Sequence, residues 1–228
     1  GDRPIDYLVV NHMEPDHSSL ISFIRKHYPD LVVVTNQKAV PMLKGYQNGY
    51  DGEIMIIKEG DELSLGNTTL KFFMAPMVHW PETMVTYLVE DKTLFSGDAF
   101  GTFGGVVNGI TDSEASMTGH ESDRDTFGQF RDEMIRYYSN IVGKYGTPVQ
   151  TALKKLSGLQ IERICSTHGP VWEKQIAEVV SLYDKLSRYE VEHGVCIVYG
   201  SMYGNTAAAA RELAKELETR GHHVILVE

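Results

Sequence analysis

Four short apolar runs in this chain each lead to a histidine or an aspartate. Ile5 to Val10 is followed by His12. Leu70 to Met74 is followed by His79 in "APMVHWPET". Thr93 to Ser96 is followed by Asp98 in "FSGDAFG", and Ile161 to Ser166 by His168 in "ICSTHGPVW". Runs this short, bounded by Gly, Pro, Asn and Asp, read as strands. Ile5–Val10 and Leu31–Thr35 are continuous enough to be buried on both faces. If such strands lie in neighbouring sheets, the residues just past their carboxyl ends converge on one pocket at the sheet edge.

The remaining pattern fills in that frame. "EIMIIKEGDELSLGNTTLKFFMA" reads as strand, turn, strand, turn, strand, and "TMVTYLVEDKTLFSGD" as a hairpin turning at Glu90 to Lys92. Helical spacing runs from Leu20 to His27, with Ser18 or Ser19 as cap, and from Gln37 to Tyr46. Ser122 to Val142 repeats apolar residues at helical spacing. Thr147-Pro148 opens a further helix with proline at its first position. Val171 to His193 is a long helical stretch that can serve as a linker.

The first strand end, "NHMEPDHSSL", packs His12, Glu14, Asp16 and His17 together. Side chains this costly to desolvate rarely crowd without a purpose. His12, Glu14 and Asp16 fall at alternate positions, so an extended loop would turn them the same way. Alone, an HxE, an "SGD" or a "THG" is ordinary loop chemistry. Together they place four of the nine histidines at strand ends with acids beside them, and that combination points to a metal. His27, His120, His193, His222 and His223 have no such setting and read as surface or packing residues. Imidazole nitrogens and carboxylate oxygens without a thiolate exclude a cysteine-type structural zinc site. They suit iron, manganese or zinc, and a carboxylate such as Asp98, arriving from a separate strand, can bridge two ions.

The bulk composition narrows the partners. A formal net charge of −10 argues against nucleic acid or an anionic membrane as the main partner. No apolar run is long enough to span a bilayer, and the start, "GDRPIDYLVV", shows no signal peptide. Cys165 and Cys196 each sit in an apolar run and form no CxxC, which predicts two buried thiols in a reducing cytoplasm.

From Val195 the texture changes to strand, tight loop, helix, strand. The loop "GSMYGNT" offers the hydroxyls of Ser201 and Thr206 and a run of backbone N–H groups at a helix N-terminus, where a phosphate can be held. A Walker loop would carry lysine where Asn205 stands, so nucleoside triphosphate hydrolysis is not expected. The ordinary alternative is a capped helix start.

At these residues the chain resembles the metallo-β-lactamase superfamily, whose first motif reads HxHxDH. Here His12-Met13-Glu14-Pro15-Asp16-His17 puts glutamate at the second histidine, which is similar to the HxExDH of flavodiiron proteins. "HWPET", "SGDAFGTFG" and "HGPVW" follow in the family's order. "SMYGNT" resembles the FMN-phosphate loop of flavodoxins, and a flavodoxin-like domain after the metal domain is the flavodiiron arrangement.

The resemblance implies an αβ/βα metallo-β-lactamase-like sandwich over residues 1–193, followed by the first β-α-β of a flavodoxin-like doubly wound sheet over residues 194–228. Each would be cut short, the first at its amino end and the second at its carboxyl end. It also implies that His12, Glu14 and His79 bind one iron, that Asp16 and His168 bind a second, and that Asp98 bridges them. His17 matches a position that ligates in some members and not in others. Ser201, Met202, Tyr203, Gly204, Asn205 and Thr206 would hold FMN. The implied activity is reduction of dioxygen to water, of nitric oxide to nitrous oxide, or both. Electrons would come from a donor such as rubredoxin or a reduced flavin or deazaflavin system. A head-to-tail homodimer or homotetramer would bring the flavin of one subunit to the irons of another. The alternative is a two-metal hydrolase on the same scaffold, a glyoxalase II-like thioesterase or a lactonase.

Overall fold

The computed structural model describes residues 3–117 and 125–228, which fall into two compact units, Gly1–Tyr189 and Glu190–Glu228. In the first unit, β1 (Tyr7–Val9), β2 (Val32–Asn36) and β3 (Ile54–Ile57) form a parallel sheet in that order. The crossovers carry α1 (Pro15–Ser18), α2 (Ile21–His27) and α3 (Ala39–Tyr46). A second, mixed sheet runs in chain order through β4 (Glu62–Ser64), β5 (Thr69–Met74), β6 (Met84–Leu88), β7 (Thr93–Gly97) and β8 (Arg163–Ser166). The stretch read as three successive strands is thus divided between two sheets. Turn chemistry alone cannot say which neighbour a strand chooses.

Side-chain alternation shows why the sheets stack. On β5, Leu70 and Phe72 meet Val34, Ile57 and Met84 between the two sheets, while Phe73 turns to the opposite face. On β2, Val34 joins that inter-sheet layer, and Val33 packs with Ile21 and Leu43 under α2 and α3. The other face of the second sheet buries Val85, Tyr87, Leu94 and Ile164 against α4 (Thr126–Tyr137), α5 (Gly146–Leu156) and α6 (Ile176–Ser187). The result is a helix–sheet–sheet–helix sandwich, the expected fold class.

Several local expectations change. Ser18 does not cap α2. It ends the one-turn α1 and its hydroxyl donates to the Met13 carbonyl, while Leu20 holds the α2 cap position. The helix read from Ser122 begins at Thr126, capped by Asp125, whose carboxylate accepts from the Gly128 amide; residues 122–124 lie outside the described residues. After Tyr137 it widens into a π-helical turn, Tyr138–Val142. Pro148 stands third in α5 rather than first, where its missing N–H still costs no intrahelical bond. The stretch from Val171 is no linker. Val171 and Trp172 bridge to Thr111 and Ile164, and α6 buries Val179, Leu182 and Tyr183 in the core. The two cysteines are free, but only Cys165 is partly buried; Cys196 is exposed, because it lies on an uncovered strand face.

In the second unit, β9 (Val195–Val198) and β10 (Val224–Val227) pair in parallel around α7 (Asn205–Thr219), which buries Ala207, Ala210 and Ala214. No helix among the described residues is long and apolar enough to cross a membrane.

Candidate metal centre

The strand ends do converge. His12 follows β1, and Asn11 fixes that end to the second sheet. Its side-chain amide donates to the Phe95 carbonyl, its Oδ1 accepts from Thr86, and its backbone carbonyl accepts from Met84. Chain direction then changes sooner than an extended loop would allow. Glu14 takes the position before α1, and Asp16 and His17 ride on that single helical turn, where His17 still reaches the group that holds Glu14 while Asp16 joins His17 and His168. Asp98 leaves β7 just past an irregularity in the β7–β8 register and past Gly97, whose φ of 59° is the left-handed region. His168 precedes Gly169, at φ 88°, where an added Cβ would collide with the Thr102 hydroxyl.

Asp98 sits at the middle. Its Oδ2 lies 3.1 Å from His79 Nε2 and 3.6 Å from His12 Nε2, and Glu14 Oε2 lies 2.9 Å and 3.3 Å from those same two nitrogens. Its Oδ1 lies 3.5 Å from His17 Nε2 and 3.8 Å from His168 Nε2. Asp16 in turn reaches His17 at 3.3 Å and His168 at 3.4 Å. All four imidazoles therefore aim Nε2 inward, at two groups of oxygens that share one carboxylate.

Burial grades across this arrangement. His12, His79 and Asp98 are buried, Glu14, His17 and His168 partly so, and Asp16 is exposed, so the side holding Asp16 and His168 faces solvent. Burial would drive the Asp98 carboxyl up, but the His79 hydrogen bond and the neighbouring histidines outweigh it and hold it below the usual range. For His79, burial works to lower the value, and bonding to Asp98 and Glu14 raises it overall.

The donor set fits cations. His17 Nε2 and Asp98 Oδ1 are buried without a hydrogen-bond partner, an expensive state that a shared ion relieves. Three carboxylates with four neutral imidazoles leave a formal excess of negative charge that two divalent ions would more than balance. Two subsets, His12–Glu14–His17–Asp98 and Asp16–His17–His168, each bring their ligand atoms within 4.8 Å of one another.

Two side chains near these groups carried no signal of their own in the sequence. Glu82, fully buried just before β6, places Oε1 2.7 Å from His12 Nδ1 and 3.0 Å from the Met13 amide nitrogen. Burial would raise its carboxyl, yet these bonds keep it below the usual range. Tyr137, on α4, packs its ring 5.8 Å from that of His168. Burial, and then the charge of Asp98, push its phenol far above the usual value. A cavity of about 340 Å³ runs beside His12 and His17 beneath α2, between Val10, Phe95 and Cys165. His120 lies outside the described residues. His27, His193, His222 and His223 take no part in the two ligand groups.

In the second unit, Ser201 accepts from the Ala207 amide at the start of α7, and Gly204 takes φ 81° immediately before it. Met202 and Tyr203 are each 86% exposed.

Comparison with known proteins places this geometry among others. The family described as ODP family beta lactamase matches residues 2–169. The nitric oxide reductase of Moorella thermoacetica is 31% identical over 224 residues, 97% of this chain and 53% of the relative. The rubredoxin oxygen:oxidoreductase of Desulfovibrio gigas superposes with a TM-score of 0.87 at 28% identity, over 98% of this chain and 54% of its own. The flavodiiron protein of Giardia intestinalis gives 0.85 at 29% identity, over 98% and 53%. The chain spans about half the length of the curated relatives it matches.

Proposed function

Because the chain belongs to the ODP family of beta lactamases, and its relatives are flavodiiron proteins, we propose that its first unit is the diiron half of a flavodiiron reductase. The observation that carries the reading is Asp98, whose two oxygens face two separate ligand groups. His12, Glu14 and His79 would hold one iron, Asp16 and His168 the other, and Asp98 both. His17, between the two groups, would stand on the side of Asp16. Bound iron would supply the redox chemistry, passing electrons from flavin to dioxygen or nitric oxide.

The chain's own part is to assemble the donors before any ion arrives and to set their charge. Glu14 puts a hard anionic oxygen where a histidine would be neutral, which favours the oxidised state of iron. The exposed side at Asp16 and His168 gives a small gas a way in. Trp80, edge-on to His12 at 5.1 Å, and Tyr137 wall the pocket with aromatic surface. The reductase names of the relatives weigh against the hydrolase alternative.

The domains would divide as a metal domain over residues 1–193 and the start of a flavodoxin-like domain over residues 194–228, where Ser201 to Thr206 would take the FMN phosphate. The whole protein would then draw electrons from rubredoxin or a reduced flavin or deazaflavin system. It would work as a head-to-tail homodimer or homotetramer. A reducing cytoplasm suits the free thiols Cys165 and Cys196.

The test needs no flavin. The chain, loaded anaerobically with ferrous iron and exposed to nitric oxide, is expected to release nitrous oxide in a single turnover, two ferrous ions being oxidised as two nitric oxide molecules are reduced. No nitrous oxide above the metal-free control, together with hydrolysis of a thioester or lactone, would favour the hydrolase.

A further inference from the structure

We propose that Glu82 is a positioning residue that fixes the tautomer of His12 and strengthens it as a ligand, so that the two metal positions are not equivalent. The proposal rests on the metal reading above. Glu82 lies 70 residues from His12 in the chain, yet its Oε1 stands 2.7 Å from His12 Nδ1. A carboxylate can only accept, so a ring proton must sit on Nδ1, and in the neutral ring that a metal needs Nε2 is then left bare. That bare nitrogen is the one turned to Glu14 and Asp98, at 3.3 Å and 3.6 Å.

The same carboxylate oxygen also accepts from the Met13 amide, so one group holds the ring and the backbone beside it. Glu82 is anchored in turn: the Asn36 side-chain amide donates to its backbone carbonyl. Among the described residues, the one other polar neighbour of His12 Nδ1 is the Thr83 hydroxyl, at 3.5 Å, too far for a good bond. Among the described residues, no carboxylate approaches Nδ1 of His17, His79 or His168. A carboxylate on the far nitrogen of a ligating imidazole raises its basicity. Here that help falls on one side of the pair.

A mere loop latch would behave differently. Glutamine at this position can still accept both hydrogen bonds and loses only the charge, whereas alanine loses both. The experiment has two parts, on the 228-residue chain and its Glu82→Gln and Glu82→Ala variants. In the metal-free proteins, nitrogen-15 NMR of the imidazoles reads the tautomer. His12 should carry its proton on Nδ1 in the wild type and in Glu82→Gln, and become a mixture in Glu82→Ala. Anaerobic titration with ferrous iron against a chelator should then show one of two sites weakened, about 10-fold in Glu82→Gln and about 100-fold in Glu82→Ala. Mössbauer spectra should show one iron signal altered and the other kept.

A wild-type His12 protonated on Nε2 overturns the proposal, whatever the metal does. So does a Glu82→Gln protein that keeps the wild-type fold and melting temperature with both affinities and both iron signals unchanged. If Glu82→Ala does not fold, Glu82→Gln alone decides. A wild-type chain that binds no iron would instead defeat the metal reading, and the NMR result would still stand or fall separately.

Discussion

At the residue scale, the two carboxylate oxygens of Asp98 stand between the two groups of side chains. Asp98 is 1% exposed, and each of its oxygens serves a different group of ligands. Removing it should leave two cations facing each other without their shared anion, so Asp98→Ala is expected to lose most of its iron and to fall to background in gas reduction. His27→Ala should match the wild type in both, since among the described residues that ring meets only Phe23 of its own helix, through its carbonyl and its ring. Elemental analysis and an electrode measurement of nitric oxide uptake check the pair, and equal behaviour of the two variants would remove Asp98 from the site. The side chains that meet here were legible because each follows a strand, and strands of stacked sheets end at common edges. Glu82 was not. It sits in the quoted "HWPET" but follows no strand, and only the fold brings it to His12. Tyr137 was hidden within a helical repeat, where one more aromatic reads as core.

Periodicity served well at the scale of elements wherever burial itself was periodic. The β6–β7 hairpin pairs Leu88 with Thr93 around the expected turn, and α2 and α3 appear within a few residues of their predicted ends. It failed where a decision depended on distant partners. The residues of α6 look like any amphipathic helix, and only its contact with α4 and α5 makes it core. The Glu14–His17 turn broke the alternation expected of an extended loop because proline begins a helix readily there. The β9–loop–α7 element carries its own prediction. Ser201 accepts from the Ala207 amide and keeps its O–H for a phosphate, but the exposed Tyr203 offers a flavin ring at most one face. Two parallel strands with Val198 at 74% exposure leave that small sheet uncovered. The 228-residue chain should therefore bind FMN weakly, with quenching of flavin fluorescence that does not saturate at stoichiometric protein. Tight one-to-one binding would show that the loop suffices alone.

At the scale of the molecule, the proposed ligands come from both halves of the sandwich. His12, Glu14, Asp16 and His17 follow the parallel sheet, while His79, Asp98 and His168 follow strands of the mixed one. Metal binding at the proposed site would therefore be linked to sheet stacking: ions that bind only the folded arrangement would stabilise it by mass action. Three of the acids behind the net charge of −10 gather at this sheet edge, Asp98 buried, Glu14 half-buried and Asp16 exposed. Sequence alone could suggest such an edge but not its spacing, which depends on how Asn11 ties one sheet to the other. The central claim is a pair of irons held by one shared carboxylate. Its most direct test is the metal content of the purified chain after expression in iron-replete medium, read with its melting temperature before and after chelation. The account predicts about two irons per chain and a lower melting temperature once they are removed. A single ion, none, or a zinc pair accompanied by ester hydrolysis would contradict it.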